Sequence, residues 1–153
     1  MKNGRWQTDR NSKANSSRVV DRAFELAVCV VRFVDSVDSQ RESRRVIVRQ
    51  LVRAATSVGA NVEEAQAAQS KPDFAHKMAI AHKEARETCY WLKLLRSADP
   101  QSDPKIAHLL DDADQVARIL AAITRTTKRN LEEERNKAKA SRSPHSSPLT
   151  HHS

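Results

Sequence analysis

Apolar residues recur along the chain at spacings of three and four, broken by short polar stretches. That spacing is the period of a helix, not of a strand. Val20, Phe24, Ala27, Val28, Val31 and Val34 trace one face of a first helix, which Val30 and Phe33 broaden. Ser16 or Ser17 can cap its start. Asp35 to Gln40 form a polar link that ends it.

The pattern predicts a second helix over Glu42 to Gln69. Ile47, Leu51, Ala54, Val58, Val62 and Ala65 fall in a narrow apolar arc at about 100° per residue. Gly59 lies mid-helix, where it costs about 1 kcal/mol relative to Ala. Close approach by a neighbouring helix is the physical reason to tolerate it. In Ser70-Lys71-Pro72-Asp73, Ser70 can cap and Pro72 fits only a first turn, so a third helix runs from Lys71 to about Ser97. Its face is Phe74, Met78, Ala81, Ala85, Cys89 and Leu92, widened by Trp91, Leu94 and Leu95. Asp103 and Pro104 open a fourth helix that reaches about Glu133, with Ile106, Leu110, Ala113, Val116 or Ala117, Leu120 and Ile123 inward.

Four amphipathic helices with three short links imply an all-α fold, an antiparallel up-down-up-down bundle over residues 17–133. Residues 1–16 and 134–153 are polar and lack apolar periodicity, so they read as disordered tails.

Composition agrees. Two glycines and three Phe, two Trp and one Tyr leave little material for turns and strands. Charge changes the picture more. Lys and Arg total 27 against 19 Asp and Glu, an excess of 27 − 19 = +8. Each tail carries four basic residues and one acid, so the remaining 117 residues have 19 basic and 17 acidic groups, only +2. The tails are basic and the bundle is nearly balanced. Basic tails attract polyanions, or serve simply as solvated ends.

Cys29 and Cys89 lie in helical patterns with no CxxC spacing, which points to buried apolar roles in a reducing cytoplasm. The longest apolar run, Leu26 to Val31, is far short of the roughly 20 residues of a membrane span. The N-terminus has no apolar signal-peptide core. No membrane association is expected.

The stretches QLVRAATSVGANVEEAQAAQS (50–70) and DFAHKMAIAHKEARETCYWLKLL (73–95) carry a further signal. They resemble the bacterial four helix bundle protein family. That family includes proteins encoded by intervening sequences within 23S rRNA genes and the accessory protein of diversity-generating retroelements. The family pattern R-x-x-x-S-x-x-x-N-x-x-E falls here on Arg53, Ser57, Asn61 and Glu64, with Lys83, Glu84, Glu87 and Trp91 matching on the third helix. Many members have Gly after the second-helix glutamate, where this chain has Ala65. The resemblance implies assembly as a homopentamer. It also implies association with RNA or DNA, or with a protein partner such as a reverse transcriptase.

Two residue sets stand out for chemistry. Arg41, Arg45, Arg49 and Arg53 are four apart, with Arg44 beside them, so they climb the side of the second helix away from its apolar arc. Guanidinium groups pair with phosphate, making this stripe the nucleic-acid-binding candidate; the alternative is a solvated face paired with Asp111 and Asp114. Asn61, Glu64, Glu84 and Glu87 form the second set. Buried polar groups must be paired, which favours a structural hydrogen-bond network, with Arg53 or Arg86 as counter-ion, over a carboxylate site.

No catalytic group is expected. Neither Cys89 nor Ser57 has a neighbouring His at helical spacing, and there is no phosphate-binding glycine loop. His76 and His82 are six apart and no Glu-x-x-His motif occurs, so no metal and no cofactor is expected. Binding, if present, is electrostatic and weakly sequence-specific.

Overall fold

The computed structural model describes residues 10–37, 40–98 and 104–142. They form four helices: α1 (Arg10–Asp35), α2 (Glu42–Gln66), α3 (Lys71–Ala98) and α4 (Lys105–Ser141). Each packs against its neighbours in sequence, and α1 closes the bundle against α4. Among the described residues, the backbones of the diagonal pairs, α1 with α3 and α2 with α4, do not approach each other. The fold is the all-α, antiparallel four-helix bundle.

Each helix buries one stripe. On α2 it is Val48, Leu51, Ala54, Ala55, Val58, Val62 and Ala65, which matches the predicted arc except that Ala55 joins it and Ile47 is half-buried, with Val48 in its place. α3 packs on both α2 and α4, so its buried face is wide and includes Met78, Ala81, Ala85, Leu92 and Leu95. α4 contributes Ile106, Leu109, Ala113, Val116, Ala117 and Leu120. The fully buried Thr88 hydroxyl donates to the Glu84 carbonyl at 2.9 Å, so it adds no unpaired group to the core.

α1 departs from expectation. Its buried stripe is Val19, Ala23, Leu26, Val30 and Phe33; Val30 and Phe33, which broaden the predicted face, are buried, but the stripe runs one residue out of step with the predicted line. Phe24 is 62% exposed and Val31 38% exposed. A one-residue step is about 100° of rotation. Val20, Phe24, Ala27, Val28, Val31 and Val34 are real as a pattern, but they form a second apolar stripe beside the one the core takes.

The helix ends also differ. The backbone is helical from Arg10, ahead of Ser16, and α4 continues to Ser141, past the expected end at Glu133. Residues 134–141 lack an apolar stripe, so periodicity does not reveal them. They are nonetheless mostly Glu, Arg, Lys and Ala, strong helix formers. Arg129 pairs with Glu133 one turn on, and Lys71 of α3 with Glu134, at the point where the predicted helix ends. The predicted tail segments 1–9 and 143–153, and the Asp103 cap, lie outside the described residues. At α3 the predicted cap is present: the Ser70 hydroxyl accepts from the Asp73 amide at 3.2 Å.

Gly59 meets α1 as expected. A methyl group there would lie 3.7 Å from the Ala23 carbonyl oxygen, an ordinary van der Waals contact. Gly59→Ala is therefore expected to raise stability by about 0.5–1 kcal/mol through the unfolded chain and helix propensity. Gly59→Leu, which must push α1 away, should lower it by about 1–3 kcal/mol. Urea unfolding midpoints of the two variants check both signs.

Candidate nucleic-acid interface

The site is built on the α2–α3 hairpin. Arg53 reaches from α2 to α3, where Nη1 lies 3.3 Å from a Glu84 carboxylate oxygen and Nη2 donates to Glu87 at 2.5 Å. Its Nε donates to Gln50 at 3.1 Å. The Glu84 residue is only 8% exposed, so its carboxylate depends on this guanidinium. Further along, Lys77 of α3 pairs with Glu64 of α2. The hydrogen bond to Glu64 is the main reason the Lys77 ammonium titrates above its ordinary value.

The four residues expected as one polar network therefore divide. Glu84 and Glu87 share Arg53, one of the two counter-ions expected for the set, the other being Arg86. Glu64 belongs to a separate, exposed pair with Lys77. Asn61 stays on its own helix, donating to the Ser57 carbonyl at 2.9 Å and the Ser57 hydroxyl at 3.2 Å. The sets lie at different levels along the hairpin and do not converge on a ligand-sized space.

The arginine stripe changes too. Arg41, Arg45, Arg49 and Arg53 are exposed, and Arg44 is half-buried. Arg53 is committed to two carboxylates, so it contributes structure rather than free charge. Arg45 lies 3.2 Å from Glu42 across an open surface, a pair worth little in water. No carboxylate pairs with Arg41 or Arg49 among the described residues. Neither Asp111 nor Asp114 lies against the stripe. Asp111 accepts from Gln115 and Asp114 from Arg118, both on α4.

The outer face of α3 was missed as a surface. Lys83, Arg86, Tyr90 and Lys93 are exposed along it. The signal was a basic and aromatic residue set at spacings of three and four on the side of α3 away from its apolar residues. Burial, then the guanidiniums of Arg86 and Arg125, push the His82 imidazole below its ordinary value, so it is neutral at pH 7. Burial, followed by Asp114, pushes the Cys89 thiol up, which leaves it protonated and a poor nucleophile. A shallow groove between α3 and α4 is lined by Lys93, Ala107, Leu110, Asp111 and Asp114. Among the described residues, no three His, Cys, Asp or Glu side chains are grouped to hold a metal. No described helix is long and apolar enough to cross a membrane.

A model of the 23S rRNA-intervening sequence protein family matches residues 15–122. Among solved structures, the chain is similar to a protein of unknown function from the S23 ribosomal protein family of Bacteroides thetaiotaomicron VPI-5482. The two are 33% identical, with a TM-score of 0.66, over 72% of this chain and 98% of that one. No curated protein matches the chain.

Removing the counter-ion tests the hairpin tie. Arg53→Met is expected to lower stability by about 1–3 kcal/mol, because it strands the Glu84 carboxylate. Adding Glu84→Leu should recover part of the loss. Equal or greater loss in the double variant, by urea denaturation, would show that the two groups are not coupled.

Proposed function

This chain belongs to the 23S rRNA-intervening sequence protein family, and on that premise we propose that it is a non-enzymatic, self-assembling bundle that binds RNA or DNA through its basic surface. The observation that carries the binding is the exposed arginine ladder. Arg45 and Arg49 lie on one side of the start of α2, about 6 Å apart along it, and exposed Arg41 stands just before them as the extended residue at the helix's N-cap. Such a ladder offers planar donors to successive phosphates without reading bases. One ladder is a modest site. Repeated by self-assembly, it becomes a belt whose affinity multiplies through effective concentration.

The second stripe of α1 supports the self-assembly. Phe24 and Val31 are exposed apolar groups in line with half-buried Val20, Val28 and Val34. A second copy of the bundle is the occupant proposed for it. A pentameric ring needs a heterologous contact, in which this stripe meets a different patch on the neighbour. Val46 of α2, 48% exposed, is an apolar position available to such a patch. The setting proposed is the cytoplasm, with no cofactor. A second reading, also favoured by the α1 stripe, places a different protein there, such as a reverse transcriptase, with no direct contact to nucleic acid.

Binding should weaken steeply with salt, with a log–log slope of about −0.7 to −0.9 per phosphate neutralised. Changing Arg41, Arg45 and Arg49 together to Glu is expected to abolish it while helicity by circular dichroism is unchanged. Arg53 is left intact, because a glutamate there would face Glu84 and Glu87. An unmodified chain that binds neither mixed RNA nor mixed DNA at low salt would falsify the binding proposal. Copurification of one stoichiometric protein that survives nuclease and high salt would support the second reading instead.

Phe24→Asp tests the assembly. The side chain is mostly exposed, so the monomer fold should persist. Light scattering should show a shift to monomer at micromolar concentration. An unmodified chain that is already monomeric there would exclude the assembly.

A further inference from the structure

Tyr90 is 57% exposed, an unusual position for an aromatic ring in a chain with so few. Its own helix surrounds it with cations. Arg86 precedes it by four residues and Lys93 follows by three, so all three share the outer face of α3. Carboxylates border that face without covering the ring. Glu87 accepts from Arg53 and also lies 3.9 Å from Lys83, while Asp111 and Asp114 border Lys93 in the groove toward α4, where Asp114 accepts from Arg118 and Asp111 from Gln115. Trp91 meets the Tyr90 ring edge-on, with centroids 4.9 Å apart and planes at 74°. Trp91 is half-buried and packs on the core, so it is an anchored wall against which the exposed ring is set.

Register brings this face level with the arginine ladder. The pairs Arg53–Glu84, Arg53–Glu87 and Glu64–Lys77 fix how α2 and α3 run past each other. Counting back along α2 from Arg53 and forward along α3 from Glu87, at equal rise in opposite directions, puts Arg49 at about the height of Tyr90. The two helices thus carry the ladder and the aromatic on the same half of the bundle. Among the described residues α3 makes no contact with α1, so the apolar stripe of α1 and the Tyr90 face are on helices that do not adjoin and can be used together.

We infer that Tyr90 is a base-stacking platform, flanked by Arg86, Lys93 and Arg49 as phosphate contacts, and that the surface takes single-stranded nucleic acid in preference to duplex. The inference rests on the nucleic-acid reading above and adds what it selects. A ladder of arginines alone attracts any polyanion. An exposed ring between cations takes the face of an unpaired base, which a duplex keeps stacked inside. Stacking tolerates every base, so the preference is for strandedness and not for sequence.

The test is a titration of the full chain with labelled oligo(U), oligo(dT) and a mixed-sequence duplex, by fluorescence anisotropy. The unmodified chain is expected to favour the single strands. Tyr90→Ala should weaken single-strand binding by about 5- to 100-fold, leaving duplex binding and the salt slope unchanged. Tyr90→Trp should restore it. Arg86→Glu with Lys93→Glu should instead make the salt slope shallower. Single-strand affinity unaltered in Tyr90→Ala overturns the platform while the electrostatic reading stands. A change in sedimentation of Tyr90→Ala also overturns it, since the ring then belongs to a protein contact. If the unmodified chain binds no nucleic acid at all, the broader reading fails and the platform falls with it.

Discussion

The structure depends on one carboxylate that cannot be left alone. Glu84 sits on the inner side of α3, nearly out of water, and its charge is matched by Arg53 from α2. A lone buried carboxylate costs several kcal/mol, so the helices must take the register that supplies a guanidinium. That register is then repeated by Glu64 and Lys77 farther along. Apolar stripes of Val, Ala and Leu would tolerate a slip of one turn with little loss of buried area. The charged pair does not, so it converts a greasy helical hairpin into one with a defined alignment. The same pair sets which surface groups of α2 and α3 stand at one level.

How much of this could be read in the chain varied by helix, for a physical reason. α2 has one narrow apolar arc opposite a charged side, so the pattern has one solution. Val58, Val62 and Ala65 are all buried as read. α1 has apolar residues in two adjacent stripes, and both obey the helix rule. Periodicity cannot say which stripe meets the core, because that is decided by the other three helices. The residues chosen first, Phe24 and Val31, are the ones left outside. The polar set was legible as a packing feature and not as a unit. Arg53 with Glu84 and Glu87 was foreseeable as charge balance, whereas the separation of Asn61 onto Ser57 is set by side-chain reach on a single turn. The end of α4 was missed because pattern detects faces, and a helix polar all round has none.

The core is lined with small side chains, and this constrains what its surface can do. Ala23, Ala54, Ala55, Ala65, Ala81, Ala85, Ala113 and Ala117 are buried. Alanine loses no rotamer freedom on burial and lets helices approach closely, as Gly59 does against Ala23. It also buries little area per residue. Large apolar groups are therefore valuable to the core, and the bundle still leaves Phe24 and Val31 outside. In a chain with so few aromatics, a phenylalanine held mostly in water is a stability cost that a second subunit would remove.

The same reasoning applies to Tyr90, with the opposite partner. Phe24 lies in a line of valines, a surface that water disfavours throughout and that another apolar face would cover. Tyr90 lies between Arg86 and Lys93, where covering the ring with protein would also desolvate two cations. A nucleic-acid strand covers the ring with a base and meets the cations with phosphates in one step. Two exposed aromatics on non-adjoining helices of one bundle thus call for different chemistry. The difference comes from the charges three and four residues away, not from the rings themselves.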